Sequence, residues 1–245
     1  MSAEPLVLAI ETATLAGSVC LMRGEVSVAA LKGEPAVSHS NTLLKEIDRL
    51  LEEANVPIRD VQLFAVASGP GSFTGLRIGI ATVKALAATL NRFCIGIPTL
   101  EAIAHSAGDC NRTVCLLPAG RGEVFAQMFS GANDGEVTAL DEPNHLSPRR
   151  AIEKYSRFGD VCWAGEGVSA HLEAIREIAL TLGYSAPVST NEEIRPGGWT
   201  IAETTSNLAK HVASLARARF SNRGDLTPDA LHAIYVRPSD AELKH

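Results

Sequence analysis

Cations are scarce. Lys and Arg number 22 against 28 Asp and Glu, giving a formal net charge of −6. A protein that holds nucleic acid by its own field needs clustered Lys and Arg to neutralise phosphates, and this balance argues against one. Two small clusters, Arg149/Arg150 and Arg217, Arg219 and Arg223, read as solvated helix faces. Paired cysteines are also lacking. Cys20, Cys94, Cys110, Cys115 and Cys162 are odd in number, scattered and free of any Cys-x-x-Cys spacing. That excludes a disulfide framework or a zinc knuckle as the organising device and fits a reducing cytosol. No uncharged apolar run approaches the ~18 residues of a spanning helix, and the start, Met-Ser-Ala-Glu-Pro, has no basic stretch followed by an apolar one. The expectation is a cytoplasmic chain, neither exported nor inserted in a membrane.

Catalytic signatures are missing as well. There is no His-Glu-x-x-His, and His39 has Leu43 at i+4, so it has no helical co-ligand. His105, His145, His171, His211, His232 and His245 are likewise unpaired at ligand spacing. No Gly-x-Ser-x-Gly elbow occurs. The glycine-rich run Gly69-Pro-Gly-Ser-Phe-Thr-Gly75 is followed by Leu76-Arg77, not by the Lys-Ser/Thr of a phosphate-binding P-loop.

What the chain does have is an ordinary globular composition, 46% hydrophobic and 20% charged, over 245 residues. That length admits one large domain or two halves. Leu6–Ile10 is a continuous apolar run suited to a buried strand. Gly17–Met22 and Val26–Leu31 follow as strands around a tight Arg23-Gly24-Glu25 turn. Ser38 opens a helix whose apolar positions, Leu43, Leu44, Ile47, Leu50, Leu51 and Ala54, form a 3.6-residue stripe. A strand at 63–67, a helix over about 74–90, a strand at 93–97 and a short helix from Thr99 complete a βββαβαβα order.

The second half repeats it. Strands are expected at 113–117, 123–129 and 136–140, the last two separated by the turn Gly131-Ala-Asn-Asp-Gly135. A helix around 147–157, a strand at 161–164, a helix over 169–182, a short apolar Ala186-Pro-Val188 and a helix over 200–220 follow. Gly69-Pro-Gly71 and Gly165-Glu-Gly167 end equivalent strands. The fold class is therefore α/β, two βββαβαβα halves at 1–108 and 109–245, the architecture of the actin-like ATPase superfold.

Within the glycine run, Thr74 is expected to cap the helix, with Phe73 and Ile78 as a hydrophobic staple. Gly71, Gly75 and Gly79 recur every four residues, and Ala81, Ala85, Ala87 and Ala88 extend a small-residue surface. A helix-interior glycine costs ~1 kcal/mol relative to alanine, so Gly79 needs a packing reason. Packing within the domain and packing against another subunit are both open. Apolar surface on two neighbouring helices favours the interface.

Actin-like ATPases place a carboxylate at the first strand turn of each half. Here Glu11 stands at the first, and Pro118 occupies the place of the second. Losing one of two carboxylates weakens the reading of a Mg-ATPase. At this point Ile10-Glu-Thr-Ala-Thr14 with Ser18-Val19, Ser38-His-Ser40 with Leu43-Leu44, the run from Ser68 to Ala87, and Gly96-Ile-Pro-Thr-Leu100 resemble the TsaB family. Arg121-Gly-Glu-Val-Phe125 and Tyr235-Val-Arg237 are similar to later landmarks of that family.

The resemblance implies an actin-like, non-catalytic subunit for threonylcarbamoyl transfer to the adenosine beside the anticodon of tRNA. Its implied partner is the catalytic paralogue TsaD, assisted by the ATPase TsaE, with tRNA engaged only through the complex. ATP and a metal ion would sit on the partners, and this chain alone would bind neither. Docking would use the helices over 39–54 and 74–90, specifically His39, Leu43, Leu44, Ile47, Leu50, Leu51, Gly71, Phe73, Gly75, Leu76, Gly79 and Val83. Glu11, Thr12, Gly69 and Ser72 would be vestigial nucleotide-facing positions. The paralogue's metal-binding histidine pair is replaced here by residues of Thr99-Leu-Glu-Ala-Ile103. Two departures stand out: Glu11 in place of the family's Asp, and Pro118-Ala119-Gly120 in place of its Asp-Ala-Arg. A symmetric homodimer is left open. The competing readings are a free-standing Mg-ATP-dependent small-molecule kinase and, least supported, an actin-like metallopeptidase.

Overall fold

Every residue of the first strand, β1 (Leu6–Glu11), is buried. The reason is its place in the middle of a five-stranded sheet. It runs antiparallel to β2 (Ser18–Arg23) and parallel to β4 (Leu63–Gly69), with β3 (Val26–Lys32) and β5 (Phe93–Pro98) at the edges, in the order β3-β2-β1-β4-β5. The computed structural model describes residues 4–34, 39–133, 136–185, 187–189, 198–221 and 226–236. Ser38, the tip of the turn at 134–135, Ala186, Arg223, Arg237 and His245 lie outside the described residues, as does the side chain of His39.

Alternation along β1 divides its side chains between two layers. Leu6, Leu8 and Ile10 meet α1 (His39–Glu53) and α2 (Phe73–Leu90) in a core with Ile47, Leu50, Phe64, Val66 and Val83. Full burial of each such side chain contributes about 1.5–3 kcal/mol. Val7 and Ala9, also buried, point to the other face. There α7 (Leu208–Ser221) packs against β1, β2 and β4.

The remaining elements are α3 (Thr99–Ser106), β6 (Arg112–Gly120), β7 (Glu123–Asn133), β8 (Glu136–Ala139), β9 (Asn144–Leu146), α4 (Pro148–Tyr155), β10 (Val161–Ala164), α5 (Glu166–Ala170), α6 (Leu172–Thr181), β11 (Val188–Ser189) and β12 (Trp199–Ile201). Their sheet has the order β11-β12-β10-β6-β7-β8, with β9 pairing β7. Reading β8-β7-β6-β10-β12 against β3-β2-β1-β4-β5 gives the same path, including the parallel pairing of first and fourth strands. The duplication expected from the sequence is present. In this second core Trp163 meets Trp199 edge-on at 5.1 Å between centroids, over Tyr155, Ile152 and Ile175. Asp141 closes it: one carboxylate oxygen accepts from the Met128 amide, and the other from Tyr155 Oη (2.8 Å) and Lys154 Nζ (2.6 Å). Burial, and then this carboxylate, hold the Tyr155 phenol well above its ordinary range.

The chain divides into two units, one reaching to Ala102 and including Ser206–Tyr235, the other Ile103–Thr205. This differs from halves at 1–108 and 109–245, because the last helix belongs with the first sheet. The helix expected from Thr200 also differs. Trp199-Thr-Ile201 is a strand, parallel to β10, and α7 starts only at Leu208. Trp, Thr and Ile favour a half-buried pleated surface over a helix start. The helix expected over 169–182 is broken at His171 (φ −125°, ψ 21°) into α5 and α6. β9 is too short to announce itself by alternation.

Asn207 fixes the last crossing. Its amide nitrogen donates to Leu31 O (2.9 Å) and Val19 O (3.3 Å), while its side-chain oxygen accepts from the Lys210 amide (3.1 Å) at the helix start. Ser18 Oγ accepts from the Ala209 amide at 3.0 Å. Asn207→Ala is expected to cost about 1–3 kcal/mol, since it removes a cap and the donors to two carbonyls at once. A urea midpoint unchanged from wild type would show that α7 is held by its apolar face alone.

Candidate functional site

The glycine-rich run connects β4 to α2. Gly69 has φ +117° and a cis peptide bond to Pro70. The helix starts one residue earlier than the sequence suggests: Ser72 is the cap, its Oγ accepting from the Gly75 amide at 3.2 Å, and Thr74 lies inside the first turn. Ser72 thus serves the capping role expected of Thr74. Phe73 packs against Tyr235 with the rings tilted by 40° and 5.2 Å between centroids, and the Arg77 guanidinium lies 3.8 Å from its ring centroid.

The three glycines at four-residue spacing line one side of this segment, and the turn after β1 fills it. A Cβ at Gly71 would stand 2.6 Å from Ala13 O and 2.7 Å from Ala13 Cβ. At Gly75 it would collide with Thr12 O, and at Gly79 with Thr12 Oγ1. Two hydrogen bonds close the seam, from the Ser72 amide to Ala13 O (2.8 Å) and from Thr12 Oγ1 to Gly75 O (2.8 Å). The small-residue stripe therefore packs a strand end of its own unit. The interface expected at Gly75 and Gly79 is corrected: both are buried.

Glu11, Thr12, Gly69 and Ser72 are brought close together, yet their polar groups serve the fold. Glu11 is 1% exposed, and its carboxylate accepts from Thr14 N (2.7 Å) and Thr14 Oγ1 (2.8 Å). The Gly69 amide donates to Thr99 Oγ1 at 3.2 Å. Thr99 and Ile103, at the two ends of the segment Thr99-Leu-Glu-Ala-Ile103, are both buried. Among the described residues no group of three or more His, Cys, Asp or Glu is placed to hold a metal ion. Pro118 is exposed near the end of β6, opposite Val124.

The expected docking residues separate into two sets. Leu43, Ile47, Leu50, Leu51, Leu76 and Val83 are core, which corrects their assignment to an open face. Leu44 points outward at 63% exposure. On α2 the outward positions are Thr74, Arg77, Ala81, Ala85, Ala88 and Thr89. α1 and α2 pack against each other. Among the described residues α2 is the one helix long and apolar enough to cross a membrane, and only 33% of it is buried. Its outer side carries the exposed alanines Ala81, Ala85 and Ala88, with Thr74, Arg77 and Thr89 around them. The alanines were visible in the sequence, but only the tertiary packing separates them from the glycines one turn away.

The basic residues of α7 are engaged as well. Arg217 lies 3.4 Å from Glu25, and Arg219 pairs with Glu101 beside a cavity of about 330 Å³ lined by Ser68, Cys94, Gly96, Leu231 and His232. The sequence reading of a solvated face holds for Arg149 and Arg150, which are exposed, while Arg217 and Arg219 are partly exposed and carry ion pairs.

A family model described as "TsaD: tRNA N6-adenosine threonylcarbamoyltransferase" matches residues 34–191. The chain belongs to this family. Within it, the chain is 29% identical over 180 residues to the tRNA threonylcarbamoyladenosine biosynthesis protein TsaB of Escherichia coli (strain K12), covering 72% of this chain and 78% of that one. The protein of the same description from Bacillus subtilis (strain 168) is 24% identical over 179 residues, covering 73% and 78%. Among solved structures, YeaZ from Pseudomonas aeruginosa superposes with a TM-score of 0.73 at 24% identity over 94% of this chain and 99% of that one. A ROK hexokinase from Thermus thermophilus does so with a TM-score of 0.52 at 11% identity, over 89% and 100%. These likenesses establish the actin-like α/β fold, and the family model extends the resemblance beyond the first half.

The seam makes a prediction about stability. Gly75→Val and Gly79→Val are each expected to lower unfolding free energy by about 1–3 kcal/mol through overpacking, while Ala85→Val on the open side is expected to be near neutral. Equal denaturation midpoints for all three would show that the seam can open without cost.

Proposed function

We propose that this chain is a subunit in the biosynthesis of threonylcarbamoyladenosine in tRNA, and that it acts by pairing with a TsaD-type transferase and not by catalysis. The observation that carries the pairing is the outer face of α2, an apolar helix only one-third buried, beside exposed Leu44 on α1. Burying such a face is favourable at roughly 25 cal/mol per Å² of apolar area, and alanine lets a partner helix approach closely. The names of the bacterial relatives support the pathway. The match to the transferase family supports a paralogous partner, because duplicated folds pair readily through equivalent faces.

Non-catalytic status is supported by groups turned to structural use. The Glu11 carboxylate is buried against Thr14, the Gly69 amide is taken by Thr99, and Thr99 and Ile103 are core residues. The ATP and metal of the reaction would then sit on partner subunits, TsaE and the transferase, with tRNA reached through the assembly. The place of work is the cytoplasm, where tRNA-modifying assemblies meet their substrate. The kinase reading has no observation in its favour beyond a shared fold.

Ala81→Glu combined with Ala85→Glu tests the face directly. Light scattering of the wild-type chain mixed with the transferase of the same organism is expected to give one species of summed mass. The double variant is expected to keep the wild-type melting temperature and lose at least tenfold in affinity, as two charges cannot be desolvated there. An intact complex with the folded variant would overturn the docking face. Undiminished threonylcarbamoyladenosine in tRNA from cells depleted of this chain would overturn the pathway.

A further inference from the structure

Residues 226–235 run along the outer edge of β5 and enclose a cavity that lies wholly within the first unit. The Cys94 amide donates to Leu226 O (2.8 Å) at one end of this segment, and the Ile234 amide to Ser68 O (2.7 Å) at the other. Between them the chain turns through Pro228–Ala230 and buries Leu231. Gly96 makes the approach possible, since a Cβ there would stand 2.8 Å from Leu231 Cδ1 and 2.9 Å from Ser68 Cβ. The space between strand, segment and the end of α7 is about 330 Å³. Small-ligand sites run from about 300 to 1,000 Å³, and at roughly 30 Å³ per water-sized atom this one holds about ten.

Three donors that the fold does not use converge there. β5 is an edge strand, and the bond to Leu226 shows that the Cys94 amide points outward. Alternate residues of a strand direct their amides to the same edge, so the Gly96 amide also points away from β4. Outside the strand ladder it meets no acceptor among the described residues. Ser68 lines the cavity at 3% exposure, and its hydroxyl has no hydrogen-bond partner among them either. Burying a hydroxyl unpaired is unfavourable, so a ligand that supplies an acceptor gains what the fold withholds. Arg219 adds charge. Its guanidinium is held by the Glu101 carboxylate through one nitrogen, which leaves its other N–H groups for the cavity it lines.

We propose that this cavity binds a small organic carboxylate, its oxygens held by Arg219, the Gly96 amide and the Ser68 hydroxyl, and its apolar body by Leu231 and Ile234. The lining fits an anion because no acidic side chain belongs to it. Burial pushes the Cys94 thiol up to about 11, so that residue adds no negative charge at neutral pH. Glu101 is a positioning residue, since its side chain is 10% exposed and fixes the guanidinium before a ligand arrives. Tyr235 follows in the same segment and packs against Phe73 at the start of α2, so an occupant would also fix the chain that borders the docking helix.

Fluorine NMR of 4-fluorobenzoate titrated with the full chain tests the site. One-site binding with a dissociation constant of about 1 mM or below is expected for a probe of that size. The uncharged 4-fluorobenzamide, of the same shape, is expected to bind at least tenfold more weakly, because charge-assisted hydrogen bonds are lost. Arg219→Gln should weaken the acid at least tenfold and bring acid and amide to similar affinity, while Ser68→Ala should weaken the acid roughly threefold to tenfold. Should Arg219→Gln fail to fold, Ser68→Ala decides. Acid and amide binding equally to wild-type protein, a Ser68→Ala variant that binds as wild type does, or no binding at about ten times the expected concentration would each overturn the proposal. So would displacement of the probe by inorganic phosphate as readily as by benzoate, since the apolar wall would then have no part in recognition.

Discussion

The first unit depends on one backbone approach: Thr12 and Ala13, at the end of β1, lie directly against Gly71, Gly75 and Gly79. No side chain larger than hydrogen fits at these glycines while the Thr12 and Ala13 backbone stays where it is. Because β1 is the central strand, its end fixes the angle at which α2 leaves β4, and so which side of α2 faces the core. The seam thereby determines that Leu76 and Val83 are buried and that Ala81 and Ala85 are outside. A helix with glycine's conformational liability at its start is stable here because the capping serine and the Thr12 hydroxyl bond supply what the glycines cost.

The second unit solves the same problem at the equivalent place. Gly165 (φ +98°) and Gly167 lie over Leu116 of β6, where a Cβ at Gly165 would stand 2.5 Å from the Leu116 carbonyl oxygen. The repeat is thus a repeat of a physical constraint, close passage of the first strand under the loop that ends the fourth. Beyond that loop the units diverge. The first continues into an 18-residue apolar helix, and the second into two short helices divided at His171. On α2 the exposed apolar positions are Ala81, Ala85 and Ala88, and at the end of α6 they are Leu180 and Leu182.

The fold is shared with a ROK hexokinase, and in this chain it is built around the seam. The turn carboxylate and the loop amides, groups that an ATPase would direct at phosphates, are spent here on hydrogen bonds between the β1 turn, the glycine loop and Thr99. A rigid seam of that kind holds α2 as a fixed platform, and preorganised surfaces lose little entropy on docking.

Much was legible in the sequence. Apolar continuity gave β1, helical periodicity gave α1, turn residues separated the strands, and the spacing of the two glycine pairs disclosed the duplication. The glycines every four residues announced a close approach, because nothing else justifies their cost in a helix. What they approach was not legible, since helix, subunit and strand end make the same demand for small residues. Nor were the short strands β9 and β12, the return of α7 to the first sheet through Asn207, or the ion pairing of Arg217 and Arg219. The sequence by itself determined the elements, their repeated order and the need for a seam, because these rest on local propensity and periodicity. Only the tertiary structure decided which face of α2 is spent on that seam and which stays exposed, because that choice depends on where β1 ends in space.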